Sequence, residues 1–392
     1  MLASLPGKTR EAPLAAESIR GTEAQGATFV ELFFDLVFVF AVTQVTAVLA
    51  HDLTLGGVVR AGIIFWLVWW AWTQYTWSLN QADTEHVQVR LFALFATGVA
   101  FVMAVSVPFI EEPYGWLFPV SYIVLRVAGI GIQLRMAEEE WASRGPVMIW
   151  AVMSALGLLA VLAAAILSPQ QRYIALAIAA LLDVIAALRA GSTGDWKLFV
   201  PHFTERHGLF VIIALGESLI AAGVAGSSQT LDRGVLAVTL LAVIATCGLW
   251  WTYFGWAKDA LEEKFAEIEH DVGNFARDVY SFGHFPVIAG VIGFAVATEE
   301  TIAHPSDVLP VEGIIALVGG IVFFIGGVYV ALLRSRAHAP AVRPVGLTLL
   351  VVGAPLMLLI PAWLSMTGVV VIVLGIAVLE RRAVGSVAVS AP

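Results

Sequence analysis

The sequence predicts an all-α polytopic membrane protein of about twelve transmembrane helices, arranged as two parallel six-helix repeats with both termini in the cytoplasm. Three observations carry this expectation. Of the 392 residues, 59% are hydrophobic and 13% charged, with a mean hydropathy of +0.88; a soluble domain carries about 25% charged residues. Thirteen Trp, 22 Phe and 35 Gly suit interfacial anchoring and close helix packing, and a soluble enzyme is excluded. Apolar runs long enough to cross a bilayer recur twelve times. Lys and Arg fall almost entirely on one set of alternate segments.

The spans are expected near 29–49, 57–79, 89–110, 116–136, 146–167, 172–190, 206–224, 233–257, 276–297, 311–333, 342–360 and 362–380. The last two meet at Ile360-Pro361, which reads either as a helical hairpin or as one broken helix. With this count, seventeen of the 21 Lys and Arg lie on the cytoplasmic side. Arg60, Arg172 and Arg233 lie outside, and Arg126 lies within a span. Dropping one span would scramble that partition, so the charge bias supports the even number as well as the orientation.

Matches between the halves keep one order. Phe29-Val30-Glu31 opens the first span and Phe203-Thr204-Glu205 the seventh. Trp69-Trp70 and Trp250-Trp251 fall late in the second and eighth. Arg90 and Arg277 start the third and ninth, which finish at Glu111-Glu112 and Glu299-Glu300. Arg144-Gly145-Pro146-Val147 precedes the fifth, and Arg343-Pro344-Val345 the eleventh. Six is even, so the copies run parallel, about an axis along the membrane normal. The expected divisions are a cytoplasmic polar tail over 1–28, a first repeat over 29–190, a cytoplasmic linker over 191–205, a second repeat over 206–380 and a tail over 381–392. Residues 1–28 carry Lys8, Arg10 and Arg20 without an apolar core, unlike a cleaved signal peptide.

A net charge of −9 argues against a nucleic-acid partner, which needs a basic face. The single cysteine, Cys247, excludes an intramolecular disulfide and a thiolate cluster. Neither a catalytic residue, a resident metal nor a cofactor is assigned.

Ionisable groups inside hydrocarbon cost from about 2.5 kcal/mol upward and are functional candidates. Glu31 and Asp35, four residues apart, share one face of the first span. Gln44 lies further along that span, and Thr46 returns nearly to the same face. This stripe reads either as a cation or proton site, or as a helix lock in which Asp35 pairs with a base such as Arg277. In the seventh span, Glu217 lies about 16 Å along the axis from Arg206, too far for a bridge, with Ser218 beside it. Glu217 reads as a titratable or ion-coordinating group, or as a carboxyl held by neighbouring hydroxyls. His202 and His207 are five apart and point about 140° apart on a helix. With Glu205, Arg206 and Gly208 they read as a cytoplasmic capping and pairing cluster. Arg126 and Asp183 lie at similar depths and are expected to form an intramembrane pair. His284, ahead of Pro286, reads as a pH-sensitive element or a satisfied core histidine. Trp66, Trp69, Trp70, Trp72 and Trp77 read as an organic-cation cage or, better, as an interfacial belt.

The stretches Glu31-Leu-Phe-Phe-Asp35-Leu-Val-Phe-Val-Phe-Ala-Val-Thr-Gln44 and His202-Phe-Thr-Glu205-Arg206-His207-Gly208, continuing to Gly216-Glu217-Ser218, resemble the bacterial low-temperature-requirement A (LtrA) family over about residues 27–380. The resemblance implies a polytopic protein of the bacterial inner membrane, with Glu31, Asp35, Gln44, Glu205, Arg206, His207, Gly208, Glu217 and Ser218 as motif positions. The first span alone is also similar to the Phe-Ser-Asp-motif potassium channels of lysosomes and prokaryotes. It departs from them at Phe34, where the serine would stand, and at His207-Gly208-Leu-Phe210, where a second Asp would stand.

The expected function is movement of an ion or small solute through a path lined by spans one and seven, with Asp35 and Glu217 handling a cation or proton. Its partners are the lipid bilayer, the ion or solute and, for a channel, a second copy in a homodimer. Two alternatives stand beside it. One is a membrane-embedded enzyme or lipid-handling protein acting at the cytoplasmic rim through Glu205, Arg206 and His207; the other is a non-transporting sensor.

Overall fold

The computed structural model describes residues 19–21, 25–139, 141–191, 196–230 and 232–390. Residues 1–18, 192–195 and 391–392, within the expected tails and linker, lie outside the described residues. Twelve helical spans among those described are long and apolar enough to cross a membrane, and no strand occurs there beyond the isolated bridges Arg20–Ala82 and Val308–Pro361. The protein is a multi-pass helical membrane protein.

The first six spans are α1 (Phe29–His51), α2 (Leu55–Leu79), α3 (Val87–Ser106), α4 (Leu117–Glu139), α5 (Trp141–Ile166) and α6 (Pro169–Gly191). Glu31, in the first turn of α1, accepts the Thr28 backbone N–H at 3.0 Å, satisfying a donor that the helix leaves free. Thr54 caps α2 by accepting from the Gly57 N–H. In the turn before it, Asp52 accepts from the Thr54 hydroxyl and backbone N–H. Those bonds, with Arg60 alongside, hold its carboxyl below the usual carboxylate range.

The seventh span is α7 (Val200–Ser228), which starts six residues before the expected boundary. Pro201 in its first turn suits a helix start. The helix continues through the charged His202–His207 stretch because partners are waiting for those side chains. The eighth span combines α8 (Arg233–Phe254) with a short α9 (Ala257–Ala266), broken at Gly255. The ninth begins with α10 (Val272–Phe275), widens into a π-helical turn over Ala276–Ser281 and continues as α11 (His284–Ala303). The tenth is α12 (Val311–Arg334). The eleventh is α13 (Val342–Gly353) followed by a 3₁₀ segment over Ala354–Leu359, and the twelfth is α14 (Ala362–Ser390). Ile360 is extended, so residues 342–390 form two helices. The first N–H groups of α14 donate to Asp307 and Pro305 carbonyls at 2.8 and 3.1 Å.

Each half packs in the same neighbour order. In the first, α1 lies on α2 and α3, α3 on α4, α2 on α4 and α6, α4 on α5 and α5 on α6. In the second, α7 lies on α8 and α11, α11 on α12, α8 on α12 and α14, α12 on α13 and α13 on α14. The halves meet where α1 and α2 touch α7 and α11. The ninth span is central: 72% of its apolar window is buried, against 22–56% in the other eleven.

Contacts between loops define two ends. At the basic end, Ile19 and Gly21 bond the 81–83 loop, and Phe199 N–H donates to Asn80 at 2.7 Å. At the opposite end Arg60 joins Asp52 and Glu111, and Arg172 binds the Ile110 carbonyl.

Helices α11 and α12 cross at glycines. A Cβ at Gly290 would stand 2.6 Å from the Gly320 carbonyl oxygen, and one at Gly320 would stand 2.5 Å from the Phe294 nitrogen. Backbone lies on both sides and cannot swing away. Gly290→Val is therefore expected to cost about 1–3 kcal/mol or more, read as a lower Tm in detergent. Gly319→Val is the control, since a Cβ there meets nothing within 4 Å.

Candidate functional site

The facing surfaces of α1 and α7 hold the densest buried charge. Glu31 and Asp35, one turn apart on α1, both face Arg206 on α7. Its guanidinium donates to Asp35 through Nε (3.0 Å) and Nη2 (2.5 Å), and to Glu31 through Nη1 (2.6 Å). All three side chains are 0% exposed. The fork geometry suits arginine and would not suit lysine. Trp72 Nε1 donates to Asp35 at 2.7 Å, and His202 Nε2 lies 3.1 Å from Glu31.

The state of His202 follows from its other neighbour. Asn80 is held in one orientation by Phe199, donating to its carbonyl and accepting its N–H. Its Nδ2 therefore donates to His202 Nδ1, 3.3 Å away, which leaves the histidine proton on Nε2 for Glu31. Two carboxyl groups thus face one guanidinium, with N–H donors and the first turn of α1 beside them.

A histidine and aromatic layer lies against the network. His207 packs edge-on to Trp72, with ring centres 5.0 Å apart, and its Nδ1 donates to Phe203 carbonyl at 2.9 Å. Its Nε2 is buried without a hydrogen-bond partner among the described residues. His284 stacks on Tyr280 at 5.2 Å and accepts the Tyr253 hydroxyl at Nε2, 2.7 Å away. The π-helical turn frees carbonyls that side chains then capture: His284 Nδ1 takes Val279 at 3.1 Å, and Trp69 Nε1 takes Ser281 at 2.7 Å. Wide turns of this kind recur at functional sites.

The other expected site residues lie elsewhere. Arg126 grips Asp183 with both terminal nitrogens, at 3.0 and 2.9 Å, and donates also to the Tyr122 and Ser154 hydroxyls. Glu205 faces outward and accepts the Ala27 N–H. Gly208 leaves space against Phe254 and Lys258. Gln44 and Glu217 are half-buried and make no ion pair or hydrogen bond among the described residues. Ser218 is buried with its hydroxyl unpartnered. Arg277, weighed as a partner for Asp35, instead binds Asp278 at 2.6 Å and Asn274 at 2.8 Å, because the wide turn holds its side chain beside those residues.

Several participants were not singled out from sequence. Asn80 and the Arg343–Glu380 pair, buried beside the Thr252 carbonyl, belong to them, and Trp72 was read as a cage or belt residue rather than as a donor to Asp35. Nor do the tryptophans of α2 form an interfacial belt. Trp69 and Trp72 are 1% and 0% exposed, since α2 is covered by α1, α4, α6, α7 and α11.

Comparison with known proteins agrees with this architecture. The family model described as bacterial low temperature requirement A protein matches residues 26–378. An uncharacterized protein of Rhizobium meliloti (strain 1021) is 27% identical over 369 residues, covering 91% of this chain and 89% of its own length. No solved structure matches the chain.

Proposed function

The chain belongs to the bacterial low temperature requirement A family, and from that premise we propose that it moves an ion or small solute across the bacterial inner membrane. In this reading α1 and α7 form the seam that carries the path, and the structure is a closed state. The observation that carries it is the Glu31–Asp35–Arg206 network. It is fully buried, it bridges one half of the molecule to the other, and it sets two carboxyl groups against one guanidinium. Two buried carboxyls that share one base are coupled to cation or proton occupancy, and a seam held by a few directional bonds can exchange them for others.

The neighbour order repeated in both halves supports two parallel six-helix repeats about this seam. The accumulation of Lys and Arg at one end supports cytoplasmic termini. Glu217, half-buried on α7 without an ion pair, is the deeper of the two acidic groups that the path would pass.

Flux tests the proposal. Protein in liposomes is given K⁺, Na⁺ and pH gradients, alongside Asp35→Asn and Glu217→Gln. The wild type is expected to dissipate at least one gradient, and Asp35→Asn to change that rate by about tenfold or more, the size of an ordinary coupling energy. No flux under any gradient from well-folded protein overturns the ion reading.

A further inference from the structure

Helix α2 carries a second polar stripe that the α1–α7 network leaves unused. Thr73, Gln74, Trp77 and Ser78 follow Trp70 by three, four, seven and eight residues and so share one face, which Gln81, eleven residues on and just past the helix end, extends. The inner part of that face lines a cavity of about 50 Å³, closed by Gln133 of α4, Trp150 of α5 and the wide turn at Ser281. A second hollow of about 20 Å³ shares Trp77, Gln133 and Trp196 with it and continues past Gln81 and Lys197 at the basic end. The two together trace a route inward along α2.

Two polar atoms on this face are buried without a hydrogen-bond partner among the described residues, Gln74 Oε1 and Thr73 Oγ1; their residues are 3% and 2% exposed. The amide of Gln74 is fixed, because its Nε2 donates to the Arg126 carbonyl at 2.9 Å. Its oxygen is therefore the end left over. The Trp70 N–H is directed to Asp183. Arg277 lines the cavity, but Asp278 and Asn274 engage its guanidinium. An unmet buried acceptor is costly, and here two belong to residues that line one cavity with Trp77 and Trp150.

We propose that this cavity binds a small primary ammonium ion. Its N–H groups donate to Gln74 Oε1 and Thr73 Oγ1, and its charge lies against the indoles of Trp77 and Trp150. An alkali cation would need a ring of oxygens in place of its hydration shell. An anion finds no disengaged cationic side chain, and a drug-sized molecule needs about 300 Å³ or more. Naming the ammonium as the transported solute rests on the transport reading; its binding does not.

The test is calorimetric titration of the purified full-length protein in detergent with methylammonium chloride at constant ionic strength. Sodium chloride and methanol, a neutral isostere, run in parallel. Saturable binding of methylammonium alone is expected. Thr73→Val keeps the shape, removes the hydroxyl and is expected to raise Kd about tenfold. Trp150→Leu, on a different helix, is expected to weaken binding more than Trp150→Phe, which keeps an aromatic face. No saturable methylammonium binding to the wild type, an equal response to sodium, or unchanged Kd in both Thr73→Val and Trp150→Leu overturns the proposal and leaves a water site. Binding without flux of any solute overturns the transport reading alone; ion flux without methylammonium binding overturns this inference alone.

Discussion

Replacing Arg206 by leucine is expected to be the most damaging single change in the protein. It strands Glu31 and Asp35, both 0% exposed, without a cation, and breaking a buried pair by removing one partner costs about 3–5 kcal/mol. With two carboxylates left behind, the loss belongs at the upper end of that range. Thermal unfolding in detergent measures it. The triple variant Arg206→Leu, Glu31→Gln, Asp35→Leu is expected to recover most of the lost Tm, because the penalty comes from the abandoned charges rather than from a missing attraction. A single Arg206→Leu variant as stable as the wild type would mean that water reaches the two carboxylates. Arg206→Lys is expected to fall between the two, since one ammonium cannot reproduce the fork that holds both acids.

The second large effect is expected at Arg126. Its partner Asp183 is held bidentately and is almost fully buried, so Arg126→Met should cost about 3–5 kcal/mol. Arg126→Met with Asp183→Leu should return to near wild-type stability, as apolar replacements of buried pairs often do. The two sites then separate in function. The doubly apolar α4–α6 variant is expected to keep whatever flux the wild type shows, because its pair lies within one half. The triple variant at α1 and α7 is expected to lose it. Equal flux from both rescued proteins would remove the special standing of the seam.

Most of the spans were legible because hydrocarbon imposes a minimum length and forbids loose polar backbone. That constraint acts on each segment separately, so a run such as Val311–Arg334 declares itself without reference to any other. The start of α7 was not legible by that rule. His202 and Glu205 fall in the expected linker, and Arg206 and His207 at its very edge, until Glu31 and Asp35 are placed opposite them. The partner of Asp35 was hidden for the same reason: Arg206 lies 171 residues away, and nothing local distinguishes it from Arg277. The wide turn at Ala276–Ser281 has ordinary helical composition, and its extra residue shows only in the carbonyls that Trp69 and His284 take up. Glu31 and Asp35 were readable as a shared face, because a four-residue spacing fixes that much. What stood across from them depended on the packing of two halves.

The eleventh span is the shortest, 18 residues from Val342 to Leu359. As a uniform α-helix it would reach only about 27 Å. Its last six residues wind as 3₁₀, which rises about 2 Å per residue and brings the total to about 30 Å, the thickness of a typical hydrocarbon core. The segment is thus fully stretched at normal incidence and has no reserve for tilting. A bilayer of greater thickness has to pinch inward beside this edge, making it the place where the protein feels acyl-chain length most directly.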